Sequence, residues 1–132
     1  MKLTKINKQA GLTLIEVTLV IAVLLGLISV LFIGVSAYKE GSNRAKCILN
    51  ISNVQKAVRS YQNLYELSPG GTLASTTIIG TGKMLETSPV CSSTGGAYTY
   101  LSVVPAVGTA YVTCALAGTD ESQHNPTSLT GW

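Results

Sequence analysis

Three cysteines, a single histidine and six carboxylates are the side chains of this 132-residue chain with chemistry to offer. Their spacing does not describe catalysis. No Ser/His/Asp, Cys/His or paired-carboxylate arrangement stands in a persuasive context, and no glycine-rich phosphate loop occurs. The expectation is a protein that is not an enzyme. Cys47, Cys91 and Cys114 form no CxxC pair, and His124 stands alone in the polar tail AGTDESQHNPTSLTGW, so no metal centre of cysteine and histidine is expected. In an exported chain three cysteines allow one bridge and one spare thiol. Glu16 is the anomaly. It is one acid inside KQAGLTLIEVTLVIAVLLGLISVLFIGVSAY (residues 8–38), a run that is otherwise almost wholly apolar. A carboxylate within a membrane-spanning helix is costly, and by default it marks a functional site.

The run that carries Glu16 is long enough to cross a bilayer. The 22 residues from Val17 to Tyr38 hold no charge, and about 20 helical residues span a ~30 Å hydrocarbon core. Lys2, Lys5 and Lys8 precede it, which predicts a cytoplasmic N-terminus and the rest of the chain outside. Those lysines also account for the net charge of +3. Beyond residue 11, Lys39, Arg44, Lys46, Lys56, Arg59 and Lys83 balance the six acids, so nucleic acid is not favoured as a partner. A secretory signal peptide would use VSA (residues 35–37) as its cleavage site, but its apolar region is typically ~7–15 residues. A plain membrane anchor explains length and orientation, and explains Glu16 only by placing it near the interface.

A third reading uses the whole string. KQAG followed by LTLIEV resembles the leader junction of type IV pilins and type II secretion pseudopilins. In that family a short basic leader ends in Gly, an apolar residue follows, and Glu is fifth in the mature chain. Here those positions are Gly11, Leu12 and Glu16. The family most often begins its mature chain with Phe, where this sequence has Leu. The resemblance implies cleavage between Gly11 and Leu12 by a prepilin peptidase, N-methylation of Leu12, and assembly into a homopolymer by an inner-membrane platform with a cytoplasmic ATPase. Before assembly the helix would sit in membrane lipid. The new amine of Leu12 and the carboxylate of Glu16 would meet between neighbouring subunits at low dielectric. Each charge is costly alone there, so the pair sets register more than it adds stability.

Helical spacing continues past the membrane. Cys47, Ile51, Val54, Val58, Tyr61 and Tyr65 recur at intervals of four and three, an apolar stripe expected to pack as core, with Arg44, Lys46, Asn50, Asn53, Lys56, Arg59 and Asn63 on the other face. SPGG (residues 68–71) is expected to stop the helix. Gly26, Gly34 and Gly41 weaken it, either to permit bending or to admit a neighbouring helix. Residues 97–104 and 109–117 read as strands joined by PAVG (residues 105–108), and residues 76–79 as a further short strand or the start of a loop on the sheet. The expected fold is α+β and pilin-like. A leader (residues 1–11) precedes a transmembrane or filament-core helix (12–38), its amphipathic continuation (39–66) and a small β-rich head (67–132).

Cys91 and Cys114 are the expected bridge, a staple for a small exported head, with pairings of Cys47 as the alternatives. Cys47 is expected to act as a small buried hydrophobe. Some major pseudopilins bind calcium in a C-terminal loop; Asp120 and Glu121 would be the candidate ligands here, with solvated tail residues as the default reading of the pair. Two rival functions remain open: a pilin-type DNA-uptake or adhesive module, and a membrane-anchored protein that does not polymerise.

Overall fold

The computed structural model describes residue 11, residues 13–116, residue 118 and residues 123–132. Lys2, Lys5, Lys8, Leu12, Asp120 and Glu121 therefore lie outside the described residues. Helix α1 runs Leu14–Leu64, followed by the single turn α2 (Ser75–Ile78) and strands β1 (Tyr98–Tyr100) and β2 (Val112–Cys114). The chain divides into two units, Met1–Ala37 and Tyr38–Trp132.

Among the described residues of the first unit, α1 has no core. Every described residue from Leu14 onwards is exposed, including Leu24, Leu25, Leu27 and Phe32. The polar side chains of the apolar stretch turn back on the helix. The hydroxyls of Thr18, Ser29 and Ser36 donate to the carbonyls of Ile15, Leu25 and Ile33 at 2.8–3.0 Å. Each hydroxyl is thus satisfied without water, as lipid requires. The helix is a candidate membrane span by length and composition.

The second unit has a small, closed core. The stripe at helical spacing is realised: Cys47, Ile51, Val54 and Val58 are buried, and the last three pack with Leu73, Ile78, Val104, Tyr111, Val112 and Cys114. Each fully buried Ile or Val contributes about 1.5–3 kcal/mol. Tyr61 packs against this core, whereas Tyr65, expected in it, is 57% exposed and stacks on Tyr61 with ring centroids 4.3 Å apart. The sheet is antiparallel, in the register Tyr98–Cys114, Thr99–Thr113, Tyr100–Val112.

Both strands are shorter than the sequence suggests, because residues 102–104 change partner. Leu73 N–H donates to Ser102 O and Val104 N–H to Gly71 O, both at 2.8 Å, so a neighbouring loop takes over the ladder. Residues 75–78 form a helical turn rather than a strand, and that turn puts Ile78 into the core. The helix also stops earlier than SPGG. Glu66 takes φ +52°, and Leu67 N–H reaches back to Gln62 O at 3.0 Å, the 6→1 bond of a Schellman ending with Glu66 at the left-handed position.

Two polar residues of α1 close the unit. Gln55 is 3% exposed. Its Oε1 accepts from Tyr111 N–H at 2.8 Å and its Nε2 donates to Thr109 O at 3.1 Å, so an amide side chain stands in for a strand at the edge of β2. Arg59 donates to Gln62 Oε1, Pro105 O, Ala106 O and Trp132 O at 2.8–3.1 Å, holding the turn after β1 and the tail against the helix. Trp132 is packed against the core.

Candidate functional sites at the helix start and the cysteine cluster

At the N-terminal end of α1, Glu16 is exposed and lies in the first turn. Its Oε2 accepts from Thr13 N–H at 2.9 Å, and Thr13 Oγ1 accepts from Glu16 N–H at 3.4 Å. This is a capping box, two otherwise unpaired amide donors satisfied reciprocally. Residues 13–16 carry the T-x-x-E pattern that specifies it. The carboxylate also lies at the positive end of the helix dipole, where negative charge is favoured. Gly11 is exposed and outside the helix, and no described residue comes within 4 Å of the space a side chain would take.

The second site gathers all three cysteines. The expected Cys91–Cys114 bridge is not formed. Cys91 is bonded to Cys47, with Cα atoms 5.4 Å apart and a sequence separation of 44, and Cys114 is a buried free thiol. The cause is on α1. Asn50 Nδ2 donates to Val90 O at 3.2 Å, which brings the residue before Cys91 onto the helix beside Cys47. The same amide donates to Tyr98 OH at 3.2 Å. Burial pushes the Tyr98 phenol above its ordinary value. Closing the larger loop stabilises the unit by about 4 kcal/mol on chain-entropy grounds.

His124 is not alone in a solvated tail. It is fully buried. Its backbone N–H donates to Leu116 O at 2.9 Å. Asn125 then locks the tail to β2: its Oδ1 accepts from Cys114 N–H at 2.7 Å and its Nδ2 donates to Cys114 O at 3.0 Å. The imidazole lies between Glu40 and Cys91, with Nε2 3.2 Å from Glu40 Oε1 and Nδ1 3.3 Å from Cys91 Sγ. Ser93 Oγ donates to the same Glu40 oxygen at 3.2 Å. The three sulfurs and a ring nitrogen of His124 all lie within 4.8 Å of one another. Gly96 makes room for them, since a Cβ there would stand 2.6 Å from Cys91 Cβ.

Comparison with protein families, with curated proteins and with solved structures finds no match. The functional reading therefore rests on the chain's own residues.

Proposed function

We propose that the chain is a structural subunit of a type IV pilus-like or type II secretion pseudopilus filament. A prepilin peptidase would cut between Gly11 and Leu12 on the cytoplasmic face of the inner membrane, and the mature chain would polymerise through its apolar helix. The observation that carries this reading is an apolar helix segment whose described side chains are all exposed, bearing one carboxylate, Glu16, at its N-terminal end. Such a surface needs lipid first and other copies of itself afterwards. Gly26, Gly34 and Gly41 support the second requirement. Among the described residues, nothing beyond the helix's own nearby backbone lies within 4 Å of the side chain each lacks, so no contact among them explains three residues that weaken a helix.

The capping box favours a second reading, a membrane anchor that does not polymerise, in which Glu16 serves only to start the helix. Two substitutions separate them. Glu16→Gln keeps the capping geometry, because Gln serves at that position of the box, and removes the charge. Glu16→Ala removes both. In a host with an active prepilin peptidase, both variants should be cleaved at Gly11–Leu12 and both should fail to form filaments, with loss of the crosslinks that join residues 12–16 of adjacent subunits. Filaments from Glu16→Gln in normal number would overturn the charge-pairing role. An intact Met1 on the wild-type protein from that host would overturn the filament reading itself.

A further inference from the structure

The cysteine cluster is more than a disulfide, and its chemistry does not depend on the filament reading. Glu40 fixes the tautomer of His124. A carboxylate only accepts hydrogen bonds, so Nε2, 3.2 Å away, carries the proton. In the neutral ring the lone pair then stands on Nδ1, aimed at Cys91 Sγ. A disulfide sulfur has no proton to offer it. The fully buried imidazole thus points a basic nitrogen at the disulfide, and of the three sulfurs gathered there only the Cys114 thiol carries a proton while Cys47 and Cys91 are bonded. A histidine whose far N–H is held by a carboxylate is the arrangement in which imidazole ligates a metal.

We propose that, with its three cysteines reduced, this cluster binds one Zn²⁺ ion through Cys47, Cys91, Cys114 and Nδ1 of His124. Three thiolates and one imidazole are an established donor set for structural zinc. With Zn–S near 2.3 Å and Zn–N near 2.0–2.1 Å, tetrahedral ligand atoms stand about 3.5–3.8 Å apart. The four atoms here already lie within 4.8 Å of one another, so side-chain rotations after the disulfide opens are enough. The backbone is held around them on every side: Asn50 fixes residue 90 to α1, Asn125 fixes Cys114, and Gly96 leaves room for Cys91. Binding releases three thiol protons, and the imidazole ligates as the neutral ring. Starting from the disulfide, an external dithiol or phosphine first supplies two electrons and is itself oxidised, and the two sulfurs take up two protons. The unit accordingly has two alternative crosslinks. The disulfide joins α1 to the loop before β1; the metal joins both of these to β2 and to the tail.

The test uses the full chain in detergent, reduced with a phosphine and titrated with Co²⁺ and then Zn²⁺. The expected result is one Co²⁺ per chain, with the intense visible bands of a tetrahedral site and thiolate-to-metal charge transfer, displaced by one equivalent of Zn²⁺. The unreduced protein should lack these bands. Cys114→Ser and His124→Ala should each weaken binding at least tenfold, and Cys114→Ser should keep the Cys47–Cys91 bridge and its thermal transition when oxidised, which shows that it folds. Glu40→Gln leaves the ligands in place, and its loss should be about 10–100-fold. Octahedral Co²⁺ spectra, bands unchanged in Cys114→Ser, or equal binding by the unreduced chain would each overturn the proposal.

Discussion

The two units of this chain solve the burial problem in opposite ways. The stretch of α1 before Tyr38 keeps its hydroxyls bonded to its own carbonyls and exposes its apolar side chains. The unit from Tyr38 onwards turns the same helix into one wall of a core and saturates the other walls with side-chain hydrogen bonds from Gln55 and Arg59. One is finished only by its surroundings; the other is finished by itself. A single helix therefore carries two kinds of information, and periodicity separates them. Apolar all round means an external partner, whereas an apolar stripe means an internal one.

The sharpest way to break this contrast is a pair of truncations. Ile51→Ala should lower the stability of the second unit by about 2–5 kcal/mol, since it empties part of a small core. Leu24→Ala, at an exposed position of the same helix, should change that stability by less than about 0.5 kcal/mol. Denaturant melts of the detergent-solubilised protein, followed by tyrosine fluorescence, measure both. Comparable losses would mean that the two stretches of α1 do not differ as described.

Gln55 probes how the second unit closes itself. Gln55→Leu keeps the volume but leaves the buried N–H of Tyr111 without its acceptor, a loss of about 1–3 kcal/mol. Hydrogen exchange at the Tyr111 amide should quicken more than at Val112. A variant as stable as wild type, with that amide still protected, would show that the strand edge is satisfied in some other way.

Periodicity explains what the sequence made legible. The 4-3-4 spacing of Cys47, Ile51, Val54 and Val58 is a local property, and each is buried as expected. The hairpin was legible as two β-rich runs, but its length was not, because residues 70–73 compete for the same hydrogen bonds. The cysteine pairing was illegible for a related reason. It depends on Asn50 meeting the carbonyl of Val90, 40 residues away, and on a tail histidine meeting Glu40 across 84 residues. No spacing rule encodes such contacts. Gln55 was missed because a glutamine on a helix reads as surface until its partners are known. Glu16 was singled out for its charge, while its bond to Thr13, only three residues away, was within reach of a local rule.

The smallest expected effect lies where α1 ends. Glu66 holds φ +52°, a conformation that costs an ordinary L-residue roughly 1–2 kcal/mol and glycine nothing. Its neighbours make the helix stop there: Leu67 N–H bonds back to Gln62 O, and Leu67 packs against the core. Glu66→Gly should therefore stabilise the second unit, by about 1 kcal/mol once the added freedom of the unfolded chain is set against the relieved strain. Glu66→Val should destabilise it, because a β-branched side chain tolerates the left-handed region worst. The same melts that read Ile51→Ala resolve both signs. A gain from Val, or a loss from Gly, would mean that the helix does not end through this left-handed residue, and the boundary would then belong to Ser68–Gly71 as the sequence had suggested.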